Sequence, residues 1–454
     1  MKKLLNEDCT SIENSDIAVF RHLIRENNVN YNDCKNICHL SKNVYNATLY
    51  LYLQFFNKIE GFEKQLSEFD IKNKFTKEKN IDYYALPTKV SKMTIKRCCK
   101  AIKSYKNGLY DYFEDLKNGG KKYKAEPKPP KYIKKEGHAV TEYYKEALLF
   151  KNYNNGVIGL SGTTITISLK MIEVDGVKRP EIDKKDIIGA RIVPRNGHFF
   201  IELIYNRKNN PKIQKNTPVV FAGIDVGVNN LAAISVYDDV KKKSNNLLVN
   251  GRGLKSINQY YNKKKKKIKK ILWKTNKKKT SKQLDILELK RYNKITDYLH
   301  KSTRRITDYL VSEGVDVLFI GHNNGWKQDV NMGSVNNQNF GQIPFNRFIT
   351  MMNYKCGYEG IKVIQITEEY TSKSSFIHDE PFKKYNFIGN RAPRGLFTAN
   401  GIIINSDINA SLNMIRKGCD VFKGVTENQR KQLCSDPIKM DVEKAQKKKQ
   451  SSVE

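Results

Sequence analysis

VVFAGIDVGVNNLAAISVYDD, residues 219–239, decides the fold of the larger part of this chain. Its first half is an almost unbroken apolar run, the pattern of a strand buried on both faces. A short polar turn follows, and LAAISVYDD (231–239) reads as the hairpin partner. Downstream, residues 258–311 read as a long helical stretch, basic at first, with Ile295, Leu299, Ser302, Ile306 and Leu310 on one face. VDVLFIG (315–321) is a second buried strand, residues 344–356 a helix, and IKVIQIT (361–367) a third strand. Asp407 opens an amphipathic helix, INASLNMIRK. Strand, hairpin, helix, strand, helix, strand, helix describes an α/β layer covered by helices. The polar tail from about 424 is expected to be mobile.

Upstream the pattern differs. Residues 15–60 read as helix, with Val44, Ala47, Leu51 and Phe55 at helical spacing. A second long helix follows Pro87, its apolar positions Ile95, Cys98, Ile102, Tyr105, Leu109, Tyr112 and Leu116 alternating with lysines. KKYKAEPKPPKYIKKEG (121–137) is an extended basic connector. Residues 138–207 carry β-branched and aromatic runs with turns at Asp175-Gly176 and Asn196-Gly197, as in a small antiparallel barrel or sheet. The expected class is multidomain α+β: a helical region over 1–137, a β module over 138–217, an α/β domain over 218–423 with an insert at 371–400, and the tail 424–454.

Charge names the partner class. Lys and Arg number 82 against 47 acids, a net +35 spread through most of the chain. Such a field favours a polyanion, because neutralised phosphates release counterions. No apolar run is long enough to span a bilayer, so a membrane partner is not expected. MKKLLNEDCTSIENSD (1–16) has no apolar stretch behind its basic start, so a signal peptide is not expected either. The eight cysteines suit a reducing compartment, and no CxxC pair exists from which to write a zinc ribbon. Cys34, Cys38 and His39 lie close in sequence, which a helix explains without a metal.

Hydrolysis of phosphodiesters with Mg²⁺ needs carboxylates that converge from different elements, since hard cations take oxygen ligands. Asp225 stands inside the first apolar strand, where a charge needs a reason. The plain alternative is an acid that closes a turn with Gly227. Asp407 follows a strand at a helix start, where an ordinary N-cap explains it equally well. Glu368 ends the third strand. Glu369 is its rival, and alternation puts only one of the two on the face Asp225 uses. For binding, Lys263, Lys264, Lys267, Lys270 and Lys274 suit a nucleic-acid channel or a solvated face, as do Arg97, Lys100 and Lys103 on the earlier helix and Lys128 and Lys131 in the connector. Tyr45, Tyr50, Tyr52 and Phe55 suit base stacking or, at helical spacing, the core.

GIDVGVNNLAAIS (223–235), YKCGYEGIKVIQITEEYTSKSSF (354–376) and NSDINASLNMIRK (405–417) resemble, in that order, the first nuclease motif, the segment leading to the TS motif and the third nuclease motif of the transposon-encoded TnpB family. SKNVYNATLY (41–50) and PKPPKY (127–132) are similar to its helical and connector segments. The resemblance covers about residues 35–417. It implies an RNA-guided DNA endonuclease related to type V CRISPR effectors, with REC-like helices, a WED-like barrel and a RuvC (RNase H-like) domain. Its expected partners are a guide RNA and double-stranded target DNA in the cytoplasm. Asp225, Glu368 and Asp407 would bind Mg²⁺, two ions, with Mn²⁺ able to substitute.

Two departures matter. The second motif's Glu belongs about where Gly321 or His322 stands in VDVLFIGHNNGWKQ (315–328). Some TnpB-like sequences with this segment carry a Glu before the YTS motif instead, and Glu368 stands there. A nuclease-inactive guided binder is the alternative, and an unguided structure-selective nuclease is a third reading. Where the family has Cys pairs after the TS motif, this chain has Ser375 and His378, so the insert is expected to fold without zinc. Arg391 and Arg394 in that insert suit a phosphate contact, or surface charge.

Overall fold

A computed structural model describes residues 10–11, 17–56, 66–120, 123, 125–174, 176–207, 217–276, 280–322, 341–383 and 386–443. The chain divides into two compact units, residues 16–208 and residues 1–15 with 209–454.

The first unit begins with strand β1 (Ile17–Ile24), where a helix was expected. The eight residues IAVFRHLI pair antiparallel with a later strand instead, and the helix, α1, runs only over Tyr31–Phe56. Alternate residues of β1 are more deeply buried, the two-residue period of a strand. Helix α2 (Thr88–Lys117) buries Ile95, Cys98 and Ile102, but Leu116 at its far end is exposed. Strands β2 (Thr141–Tyr144), β3 (Ile187–Arg195) and β4 (His198–Asn206) complete an antiparallel sheet in the order β1-β4-β3-β2. Smaller antiparallel sheets lie between β2 and β3 in sequence. The Asn196-Gly197 turn joins β3 to β4 with both residues at positive φ, as a tight hairpin requires. Of the other expected turn, Gly176 has positive φ and Asp175 lies outside the described residues.

In the second unit the opening stretch folds as read. Strands β5 (Val220–Val226), β6 (Asn230–Asp238) and β7 (Lys243–Asn250) form an antiparallel meander. Helices α3 (Arg252–Asn276) and α4 (Lys282–Ser312) follow, divided before Ser281, whose side chain caps α4. Lys277, Lys278 and Lys279 lie outside the described residues. Strand β8 (Val317–Gly321), helix α5 (Phe345–Tyr358) and strand β9 (Lys362–Ile366) come next, then helix α6 (Ser406–Gly418). The tail is structured to residue 443: helix α7 (Glu427–Leu433) has a Thr426/Gln429 capping box, and β10 (Ile438–Met440) pairs parallel with β7. Polarity misled here, because a capped helix and an edge strand need few apolar residues.

Among the described residues seven strands form one sheet, in the order Thr10–Ser11, β9, β8, β5, β6, β7, β10. β5, β8 and β9 are parallel neighbours. One face packs Ala222, Ile224 and Val226 against Ile295, Leu299, Ile306 and Leu310 of α4 and Phe345 and Phe348 of α5. The other packs Phe221, Phe319, Ile364 and Ile366 against Ile408, Leu412 and Ile415 of α6. No helix among the described residues is long and apolar enough to cross a membrane.

Gly223 sets how closely α6 can approach. A Cβ there would lie 2.1 Å from the Ser411 carbonyl oxygen. The seat is tightened by the Ser235 and Ser411 hydroxyls, 2.6 Å apart. Because the obstacle is backbone, Gly223→Ala is expected to destabilise the fold by about 2–4 kcal/mol. A denaturant titration with unchanged slope and a lower midpoint is the check.

Candidate active site

Asp225, Glu368 and Asp407 come from three elements that meet at one end of the sheet. In β5 positions 221, 223 and 225 share the face that α6 covers. The register Ile224↔Ile320 brings Asp225 level with Gly321 at the end of β8, and Gly321 is paired with Ile366 of β9. Glu368 lies two residues past Ile366, on the same face by alternation. Glu369, its rival, is exposed.

The position of Glu368 is specific. A Cβ built on Gly321 would stand 2.4 Å from its Cγ and 2.5 Å from its Oε1, with Met414 Cε at 2.7 Å. The Glu368 side chain therefore fills the space that a side chain at 321 would take. Its backbone is pinned in turn. The Thr371 N–H and hydroxyl donate to the Glu368 carbonyl at 3.1 and 2.8 Å, around Tyr370 at positive φ. From α6, Asn413 donates to the Thr371 and Ser374 carbonyls, and Asn409 joins the Ser374 carbonyl and the Phe376 N–H.

Asp407 is not the helix cap. Asn405 is, its Oδ1 accepting from the N–H groups of Asp407 and Ile408. The Asp407 carboxylate is thus available to accept from Asn230 Nδ2 at 2.8 Å and from Arg391 Nη2 at 3.3 Å. Burial first, and then the Asp407 charge, push the Asp225 carboxyl up to about 7, while the Arg391 guanidinium pulls it back. Asp225 thus feels the negative charge of Asp407, offset only in part by the Arg391 guanidinium that pairs with Asp407. The site's donors are oxygens, which a hard cation prefers. Among the described residues, no three His, Cys, Asp or Glu side chains stand together as a ready metal cage.

The insert is knit by buried polar groups. Glu380 accepts from the N–H groups of Ser375 and Ile388, and Arg416 donates to Asp379, the Ser374 hydroxyl and the Glu380 carbonyl. Arg430 reaches the Phe376 and Phe422 carbonyls. Ser375 and His378 bond each other at 2.8 Å.

The binding candidates are scattered by comparison. Arg391 is beside the acids and Arg394 is exposed nearby in sequence. Lys263, Lys264, Lys267, Lys270 and Lys274 line the exposed side of α3. In the other unit Arg97 is paired with Glu142 at 2.8 Å, and Lys100, Lys103, Lys128 and Lys131 are exposed. Tyr52 is core and Tyr50 is exposed. Sequence reasoning missed Asn230, Asn405, Asn409 and Asn413. The last three recur every fourth residue, a polar stripe along one side of a helix otherwise buried, and that spacing was the available signal.

Two family models match this chain. Residues 204–327 match a family described as a probable transposase (OrfB of IS605), and residues 345–414 match the Cas12f1-like TNB domain. No curated protein matches. Similar solved structures include a Cas12f1–sgRNA–target DNA complex, 14% identical over 87% of this chain and 98% of that one, TM-score 0.32. A mini RNA-guided endonuclease, CRISPR-Cas_phi3, is 11% identical over 88% and 92%, TM-score 0.43. CasPhi-2 bound to crRNA is 10% identical over 90% and 98%, TM-score 0.34.

Proposed function

We propose that this chain, whose two family matches support a TnpB-like assignment, is an RNA-guided DNA endonuclease. On this reading the second unit is a RuvC-like nuclease domain, and the first supplies REC-like helices and a WED-like β module. Guide pairing specifies the target, and the protein reads a short flanking motif. The observation that carries the reading is the Asp407 charge acting on the buried Asp225 carboxyl at the sheet end where Glu368 packs beside Gly321.

Asp225, Asp407 and Glu368 would hold Mg²⁺, which when bound neutralises developing charge and lowers the pKa of water for attack on phosphorus. The protein's own part is positioning. Asn230 and the Asn405 cap hold Asp407, whose charge acts on Asp225. Thr371, Asn409 and Asn413 fix the turn that delivers Glu368. Arg391 offers a guanidinium fork at the edge of the acids, suited to a phosphate oxygen. Arg391→Ala is expected to slow cleavage about 10–100-fold with guide-RNA affinity unchanged, as single-turnover cleavage and filter binding would report. An equal loss in both assays would make Arg391 a structural residue.

One observation favours a second reading, a guided binder that does not cut: Gly321 or His322 stands about where the resembled family's second motif has Glu. Against it, Glu368 fills the space at Gly321 from the next strand. Cleavage by the wild-type ribonucleoprotein, compared with Glu368→Gln, separates the two.

A further inference from the structure

Helix α3 carries no acidic residue along its length. Its inner side packs against the rest of its unit. Asn258 accepts from Arg291, Tyr261 donates to Glu288, and Leu254 is buried in the core. The outer side is not simply a solvated basic face. At 100° per residue, Lys263, Lys267, Lys270 and Lys274 form a ridge directly opposite the buried side. Tyr260 and Ile271 flank that ridge on one side and Trp273 on the other. They are 59%, 61% and 65% exposed. Lysines alone would answer any polyanion. Large rings left in water beside them gain only from a ligand that offers ring faces as well as phosphates.

The direction of the helix matters too. α3 follows Gly251, whose N–H donates to the Asn229 carbonyl at 2.8 Å. Asn250 is register partner of Asn230, which holds Asp407. The helix therefore starts beside Asn230 and Asp407, and its lysine ridge, Lys263 to Lys274, begins about 17 Å along it and spans about another 17 Å at 1.5 Å per residue.

We propose that this face of α3 is a track for single-stranded DNA, with the lysine ridge taking phosphates and Tyr260 and Trp273 stacking on unpaired bases. The proposal rests on the nuclease reading and names the form in which its substrate strand approaches. A duplex offers phosphates but hides its base faces in the stack, so it cannot use the rings.

Trp273 is one of two tryptophans in the chain, so Trp326→Phe leaves it as the sole reporter. The RNA-loaded protein carrying that change is titrated with oligothymidine, with a duplex of equal length, and with oligouridine. Quenching of Trp273 by the DNA single strand but not by the duplex is expected. Trp273→Ala should weaken single-strand affinity about 10-fold. Replacing the four ridge lysines by alanine should reduce the slope of log affinity against log salt by about 3. Equal quenching by duplex, quenching by oligouridine alone, or unchanged affinity after Trp273→Ala overturns the proposal. Guided cleavage is scored on the same preparation. Cleavage without Trp273 quenching sinks the track and leaves the nuclease reading standing, whereas absence of guided cleavage sinks that reading by itself.

Discussion

Asp225→Asn is expected to abolish cleavage and, at the same time, to make the metal-free protein more stable. The first effect follows from removing an anionic oxygen donor at the centre of the site. A loss of about a thousandfold or more is expected, with guide-RNA binding unchanged. The second follows from the charge arrangement. The carboxyl is pushed to about 7 in the fold by burial and by Asp407, against about 3.9 in an unfolded chain. A carboxyl with a raised folded pKa holds its proton more tightly in the native state. Stability therefore falls as pH rises from about 4 to about 7, and the penalty is fully present above that. Asparagine carries no such penalty. In chelator at pH 8 the variant should exceed wild type by on the order of 1–3 kcal/mol, the gap narrowing towards pH 4. Melting curves across that range are the check. A variant that still cuts, or that melts lower than wild type at every pH, contradicts the assignment.

The second large effect concerns the relocated carboxylate. Glu368→Gln keeps the side-chain volume and removes the charge, so cleavage should fall at least about 100-fold with target binding retained. Gly321→Glu alone adds a side chain where Glu368 already lies, 2.4–2.7 Å from its atoms and from Met414. That single variant should be both destabilised and inactive. Combined with Glu368→Ala the space is vacated, and the new carboxylate starts from the neighbouring strand at the level of Asp225. The double variant should recover activity about 10-fold or more above Glu368→Ala. Such non-additivity is expected when two positions share one space. Wild-type cleavage by Glu368→Gln would remove Glu368 from the mechanism.

The central strands of the sheet were legible because they are almost wholly apolar, and a run such as VVFAGIDVG has few other uses. Asp225 stood out for the same reason. The α4 face from Ile295 to Leu310 was legible through its period, and each residue named on it is buried. β1 was not, because its partner β4 lies far along the chain and its own eight residues mix apolar and basic groups. The tail misled because α7 and β10 hold on through a capping box and an edge pairing rather than a long apolar face. At the site, Asp407 could not be told from a cap until Asn405 was seen to fill that role. The choice between Glu368 and Glu369 turned on register, which alternation alone leaves open. Arg97 illustrates the limit for surface charge: nothing in its helix announced Glu142 on a strand 45 residues away.

The central claim is that Asp225, Asp407 and Glu368 serve to cut DNA chosen by a guide. The most direct test is to purify the protein with the RNA it carries, supply a target matching that RNA and Mg²⁺, and look for strand scission at the target. Cleavage that needs both the matching guide and the divalent ion, and that vanishes in Asp225→Asn, is the predicted result. Guide-dependent target binding with no scission under Mg²⁺ or Mn²⁺ would contradict it and make the protein a guided binder.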